Sequence, residues 1–174
     1  MVDVDEAKAE FASSRIDMAR FSLIMFFLIE QRWRYYIDKS LEPDGITTKQ
    51  WLMIIIIAMG FKNPPSIQEV ADAMSTTHQN VKQIATSMER RGFMTLERDS
   101  NNKRIIRLKV TDRCHTMFKK REEKDIKEIF RMFENLSDDE MKALFNIIAK
   151  IEHRADELYQ NSKAARMERS RQAP

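Results

Sequence analysis

The chain opens with a stretch in which apolar residues recur at the spacing of an α-helix. Between about Asp5 and Asp38 they fall mostly three or four positions apart and become dense in the middle, which is typical of a helix that packs on more than one side. These residues are Phe11, Ile16, Met18, Phe21, Ile24, Met25, Phe27, Leu28, Trp33, Tyr36 and Ile37. We therefore expect one long first helix, which Leu41, Pro43 and Gly45 bring to an end.

Later helix starts carry a reciprocal capping pattern. In this pattern a Ser or Thr hydroxyl accepts from the third backbone amide, and a Glu or Gln side chain reaches back to the cap. The pairs are Thr47 with Gln50, Ser66 with Glu69, and Ser137 with Glu140, and Thr76 with Gln79 is a weaker fourth. With the apolar spacing, these starts predict helices over Thr48–Met59, Ile67–Met74, Thr77–Arg91, Asp112–Phe133 and Asp138–Tyr159.

Between Gly92 and Thr111 the apolar period changes from helical to two. One face of Arg104–Val110 carries Ile106, Leu108 and Val110, and the other carries Ile105, Arg107 and Lys109. Phe93–Arg98 can pair with this strand across the turn-tolerant residues 99–103. Five Lys or Arg stand between Arg98 and Lys109, against the single Asp99. The stretch predicts a basic β-hairpin in a protein that is otherwise mainly α.

The predicted helix before this hairpin has two unlike faces. Val81, Ile84, Ala85 and Met88 fall on one side, and Gln79, Lys82, Gln83 and Thr86 fall on the other. Amide, ammonium and hydroxyl groups suit base edges in the major groove of DNA. A short helix precedes the element and the basic hairpin follows it, so the order predicts a winged helix-turn-helix. A merely hydrophilic helix face, and a hairpin whose charges only keep an edge strand soluble, are the alternatives.

Ser66–Thr111 resembles the MarR-type regulators of bacteria, named for multiple antibiotic resistance. The resemblance lies in the order of a short helix, a second helix, Gly92, a basic hairpin and a closing Thr. It implies a homodimeric transcriptional repressor on a palindromic operator in double-stranded DNA, with the first helix and the last two as the dimer interface. It also implies a small-molecule effector pocket near Trp51, between the dimer helices and the winged domain.

The resemblance places an arginine of the wing in the minor groove, and Arg104 holds the matching position. The family usually has Asp where this chain has Asn102, and this departure removes a salt-bridge partner for Arg104. We expect Thr77, Gln79, Asn80, Lys82, Gln83 and Thr86 in the major groove, Arg104 with Lys103 in the minor groove, and Ser66, Thr76 and Arg98 on the backbone. His78 either touches DNA or is a solvated neighbour.

The apolar residues of the later helices give a separate reason to expect a dimer. Ile126, Ile129, Phe130, Phe133, Met141, Leu144, Phe145, Ile148 and Ile151, with the middle of the first helix, exceed what a winged core can cover. The predicted parts are a dimerisation helix at 1–45, a winged helix-turn-helix domain at 46–112, dimerisation helices at 113–160, and a basic, flexible tail at 161–174. A winged-helix module that binds a protein partner, such as an anti-repressor, is the alternative.

Other chemistry has little support in the sequence. There is no Gly-rich phosphate loop, nucleophile elbow or HExxH pair, so we expect neither an enzyme nor a metal or other cofactor. The single Cys114 is either a packing residue or, at a helix start, a thiol of lowered pKa. With no leader segment, one cysteine favours the cytoplasm. The apolar stretches 21–29 and 51–59 are about half of the ~20 residues that cross a bilayer.

Overall fold

The computed structural model describes residues 4–172, with side chains described there except at positions 167 and 170–172. The helices are α1 (Val4–Glu10), α2 (Arg15–Leu41), α3 (Thr48–Gly60), α4 (Ile67–Ala73), α5 (His78–Arg90), α6 (Asp112–Phe133) and α7 (Asp138–Gln172). The strands are β1 (Met94–Arg98) and β2 (Ile106–Val110), which pair antiparallel with Leu96 opposite Leu108. The predicted class, mainly α with a small hairpin wing, is confirmed.

The expectation of one uninterrupted first helix is wrong near its start. A short 3₁₀ turn, Phe11–Ser13, separates α1 from α2, and Ser14 adopts an extended backbone with φ −147° and ψ 162°. The Ser14 hydroxyl accepts from the Asp17 amide at 3.2 Å and donates to the Asp17 carboxylate at 2.6 Å. Such local side-chain bonds compete with a continuous helix and favour serine at the start of a new one. The spacing of apolar residues alone therefore does not predict this break.

Three of the four predicted capping pairs are confirmed, and the fourth is displaced by one residue. Thr47 with Gln50, Ser66 with Glu69, and Ser137 with Glu140 each make the reciprocal bonds. At α5 the cap is Thr77, not Thr76, because the Asn80 amide donates to the Thr77 hydroxyl at 3.2 Å. The Asn80 side chain donates to the Thr76 hydroxyl at 2.9 Å. Gln79 therefore takes no part in the cap.

One hydrophobic core lies within the winged helix-turn-helix, between α3, α4, α5 and the hairpin. Met53, Val70, Val81, Met88 and Leu108 are fully buried there. The ends of the neighbouring long helices also reach this core, through Leu41 of α2 and Cys114 of α6. Burial of these side chains fixes α5 with one face inward and leaves its other face on the surface.

The last helix is longer than its apolar pattern predicts. The expected end at Tyr159 is wrong, because α7 continues as helix to Gln172. The flexibility expected of residues 161–174 stays a prediction, and positions 173 and 174 lie outside the described residues. The added turns contain strong helix formers, and Lys163 forms an ion pair with Asp72 of α4. A contact across the fold thus supports a segment that has little apolar periodicity of its own.

The long helices leave much apolar surface uncovered. Phe27 of α2, Phe130 of α6 and Phe145 of α7 have 63%, 72% and 72% of their surface exposed. Within residues 4–172 no helix combines the length and apolar character needed to span a bilayer.

Candidate nucleic-acid interface

The exposed face of α5 presents the side chains that the sequence pattern predicts. Val81, Ala85 and Met88 are fully buried, whereas Lys82 and Gln83 are exposed. A shallow depression on this face is lined by His78, Gln79, Lys82, Gln83, Thr86 and Arg90. It contains hydrogen-bond donors and acceptors, two of its side chains are cationic, and none is acidic. We call it the recognition face. Sequence analysis missed Arg90, which stands one helical turn beyond Thr86.

Hydroxyl groups cap the starts of both helices of the helix-turn-helix. Ser66 and Thr77 accept from the Glu69 and Asn80 amides at the starts of α4 and α5. A hydroxyl that accepts in a cap still has its own hydrogen to donate, so both remain able to bind a phosphate oxygen. Asn80 is half-buried and bonded to Thr76, which leaves it less accessible than Gln79.

The wing is tied to α4 through Arg107, whose role sequence analysis missed. Its Nε donates to the Asp99 carboxylate at 2.8 Å, and its Nη1 donates to Glu69 at 2.9 Å. The Leu108 amide also donates to the Pro65 carbonyl at 2.8 Å. One strand of the wing is therefore fixed to the start of α4 by backbone and side-chain bonds together.

These bonds also shift the pKa of both carboxylates. The Arg107 guanidinium, followed by the Asn102 and Asn101 amides, holds the pKa of Asp99 below its usual value. The Ser66 backbone amide, with smaller contributions that include Arg107, lowers the pKa of Glu69. Both groups are thus held ionised at neutral pH, and the ion pairs of the wing persist there.

The wing turn is ordered without the aspartate that the resembled family usually has. Asn102 accepts from the Arg104 amide at 3.1 Å through its side chain, and Asp99 accepts from the Asn101 and Asn102 amides at 2.9 and 3.0 Å. The substitution therefore removes a charge near Arg104, while the turn keeps its hydrogen bonds.

Arg104 and the recognition face meet in one depression beside α5. Its lining includes Ser66, His78, Lys82 and Arg104, so the structure brings together four residues from α4, α5 and the wing. Lys103 is exposed in the same turn. Arg98 is exposed as well, but it lines a different depression with Lys62 and Asp99 and does not join this group.

The predicted effector pocket corresponds to a small apolar cavity of about 50 Å³. Its lining includes Tyr36 and Leu41 of α2, Trp51 of α3, and Arg121 and Met132 of α6. Arg121 is 6% exposed and donates to Asp44, Asp125 and Ser40. Its Nε is buried without a hydrogen-bond partner. The cavity thus combines apolar walls with one unused cationic donor.

The remaining candidates for redox or metal chemistry are not arranged as a site. Cys114 is fully buried, and burial raises the pKa of its thiol to about 11, so the thiol stays protonated and packs as an apolar side chain. Of the two interpretations given to this residue, the structure supports packing. Within residues 4–172, no three His, Cys, Asp or Glu side chains group as metal ligands would.

Comparison with solved structures identifies the fold, whereas no protein-family model matches the chain. The transcriptional regulator SlyA superposes with a TM-score of 0.71 at 16% identity, covering 80% of this chain and 97% of that one. A MarR protein from Peptoclostridium difficile gives 0.73 at 14% identity, covering 86% and 93%. The MepR–DNA complex of S. aureus gives 0.69 at 16% identity, covering 77% and 97%. The chain has the winged-helix fold of MarR-type transcriptional regulators.

Proposed function

We propose that this protein is a MarR-type transcriptional regulator that binds a palindromic operator in double-stranded DNA as a homodimer and represses by obstructing polymerase in the cytoplasm. The observation that carries the proposal is the depression shared by Lys82 of α5 and Arg104 of the wing. A major-groove reader and a minor-groove cation must lie side by side to follow one duplex. A similar fold in the S. aureus MepR complex is bound to DNA.

Each group of residues has a role set by its position. Gln79, Lys82, Gln83 and Thr86, with Thr77 and Asn80, read base edges in the major groove. Arg104 enters the minor groove, aided by Lys103. Ser66 at the start of α4 and Thr76 at the corner hold phosphates, and Arg98 contacts the backbone from the outer side of the wing.

The homodimer explains the uncovered apolar surface of the long helices. α2, α6 and α7 each expose large apolar side chains along the middle of their length, and a two-fold axis would bury them against the same residues of a second copy. Residues 1–45 and 113–160 are the dimerisation helices in this proposal, and residues 46–112 are the DNA-binding domain. The dimer presents two recognition faces to half-sites about 34–36 Å apart.

A small-molecule effector would act from the cavity beside Trp51. Its walls belong to α2, α3 and α6, so a ligand there would separate the dimerisation helices from the winged domain. A cavity of about 50 Å³ is close to the volume of one or two water molecules, so binding requires the helices to move apart. That movement would change the spacing of the recognition faces and release the operator.

The first test compares Arg104→Ala and Gln83→Ala on operator fragments selected from genomic DNA. Arg104→Ala should weaken binding to every sequence and make the salt dependence shallower. Gln83→Ala should change base preference, at a cost of about 1–3 kcal/mol for the preferred base. Lys49→Ala, which replaces an exposed cation on α3 away from the assigned DNA contacts and the proposed dimerisation helices, is the control and should bind as wild type does. Equal affinities for all four proteins would contradict the assigned roles.

The second test separates DNA binding from the alternative of a protein-binding module. Wild type should be retained on heparin and on random duplex at low salt, and it should be released steeply as salt rises. A protein-binding module does not need exposed Lys103 and Arg104 on its wing. Absence of retention at low salt would favour that module and would contradict operator binding.

A further inference from the structure

The end of α7 returns to the helix-turn-helix after a long excursion. α6 leads away from the winged domain and has 22 residues. Its length is therefore about 33 Å at 1.5 Å per residue. α7 has 35 residues, and at Lys163 it meets Asp72 of α4 in an ion pair. About 14 Å of helix remain beyond that contact. The last turns of α7 therefore pass alongside the domain that carries the recognition face.

A groove separates this end of α7 from the corner between α4 and α5. One side is formed by Thr76, Thr77 and His78, and the other by Ser162, Lys163 and Arg166. We call it the α7 groove. His78 also lines both the recognition face and the depression that contains Arg104. The α7 groove is thus continuous with the proposed DNA surface.

The groove favours an anion because its acidic group is already neutralised. Asp72 is the acidic residue of the lining, and it accepts from Lys163 and from Gln68. Lys163, the larger of these influences, lowers the pKa of Asp72, so the pair stays charged at neutral pH. Arg166 and the hydroxyls of the corner then supply the donors that bind phosphate oxygens in protein–DNA contacts. Arg169, one turn further along α7, is exposed.

We propose that the α7 groove binds a DNA backbone phosphate next to the recognition helix, with Arg166 and Arg169 as its cationic ligands and the Lys163–Asp72 pair holding α7 in place. This inference rests on the proposed function and extends it to a segment that the helix-turn-helix and wing do not include. It makes α7 both a dimerisation helix and a DNA-contact helix. The charge pattern fits this use, because four basic residues and one Glu follow Ser162 in the sequence.

The test compares the double variant Arg166→Gln/Arg169→Gln with wild type on the operator and on random duplex over a range of salt. The slope of log K against log salt should become shallower by about 0.9 for each phosphate that the variant no longer neutralises, which is about 1.8 when the groove of each copy of the dimer binds one phosphate. Lys49→Gln removes an exposed cation from α3, outside the assigned DNA contacts and the proposed dimerisation helices, and should keep the wild-type slope. An unchanged slope in Arg166→Gln/Arg169→Gln overturns the inference.

Ethylation interference gives a second readout that locates the bound phosphate. In wild type, ethylation of a set of phosphates should block binding. Binding of the double variant should no longer be blocked by ethylation at some of these phosphates. It should still be blocked by ethylation of those beside the recognition face. Identical interference patterns would overturn the inference. If wild type binds no duplex at low salt, the proposed function itself fails. If it binds and the double variant matches it, only the α7 groove fails.

A charge exchange tests the ion pair independently of Arg166 and Arg169. Lys163→Asp places two carboxylates together and should release the end of α7, with a shallower salt slope. The exchange Asp72→Lys/Lys163→Asp restores opposite charges and should recover most of the slope. Recovery supports the positioning role of the pair, and failure to recover in a variant with wild-type helicity contradicts it.

Discussion

In the winged domain Met53, Val81, Met88 and Leu108 are each fully buried, whereas Phe27, Phe130 and Phe145 on the long helices each expose more than 60% of their surface. Both regions are rich in large apolar side chains, so composition does not distinguish them. The difference is that α3, α4, α5 and the hairpin enclose a common core, while the middles of α2, α6 and α7 keep large apolar side chains exposed within residues 4–172. One chain encloses the first region, and in the proposed dimer a second copy covers the second.

The largest expected effect comes from opening the completed core. Leu108→Ala removes a fully buried side chain from the wing strand and should lower the free energy of unfolding by about 2–5 kcal/mol. Leu52→Ala is the matched control on α3, where the side chain is 42% exposed, and it should cost clearly less. Chemical denaturation followed by circular dichroism measures both. Equal destabilisation by both variants would show that Leu108 in the core is no better packed than Leu52 on the surface of the winged domain.

The next largest effect comes from placing charge on the uncovered region. Phe130→Glu would bury a carboxylate at the proposed dimer interface in both copies. It should raise the dissociation constant of the dimer by about tenfold to a hundredfold, which corresponds to about 1.4–2.7 kcal/mol. Met59→Glu is the control, because Met59 is 84% exposed at the end of α3 in the winged domain. Light scattering at micromolar concentration should show a monomer only for Phe130→Glu. A monomeric wild type would mean that the long helices need no second copy.

A smaller effect is expected where the two regions join. Arg121 links α6 to Asp44 and Ser40 at the end of α2. Arg121→Met removes these bonds and leaves partly exposed carboxylates, which should lower stability by about 1–3 kcal/mol. It should also reduce operator affinity, because the winged domain is then less firmly placed. Lys124→Met removes an exposed bond to the same Ser40 carbonyl and should change stability by under about 0.5 kcal/mol. Equal shifts of the denaturation curves for both variants would show that Arg121 contributes no more to stability than Lys124 does.

The smallest effect concerns the wing and its dependence on pH. The pKa of Asp99 lies below its usual value of 3.8. Its contribution to stability should be complete above that ordinary value, and it should disappear as pH falls through the lowered pKa. The protection of the Asn101 and Asn102 amides, which donate to Asp99, against hydrogen exchange should fall over that acid range, relative to the intrinsic exchange rate at each pH. In Asp99→Asn this fall should be absent. The same acid response in both proteins would exclude Asp99 as its source.

Sequence analysis succeeds where the determining interactions are local. The capping pairs at α3, α4 and α7 span three residues, and the unlike faces of α5 follow from helical spacing, so both can be read from neighbouring positions. The displaced cap at Thr77 and the break at Ser14 show the limit of this kind of prediction. Neighbouring Ser and Thr hydroxyls compete to be the group that caps the helix. The position of a helix is thus easier to predict than its first residue.

The interactions that position the site are distant in sequence. Arg107 bonds Asp99, eight residues away, and Glu69, 38 residues away. Arg121 reaches Asp44 across 77 residues, and Lys163 reaches Asp72 across 91. No periodic pattern in the sequence predicts such a pair, because a charged residue on a helix face can equally well be solvated by water. The residues of the recognition face, except Arg90, were therefore predictable, and the residues that hold it against the wing and α7 were not.

The tie between Arg107 and Glu69 has a consequence for operator evolution. Because the wing strand is fixed to the start of α4, the proposed minor-groove arginine and the recognition helix move as one body within each half-site. The number of base pairs between their contacts is then constant. In operators that diverge over time, insertions and deletions within a half-site would be lost, whereas substitutions at positions that neither element contacts would be kept.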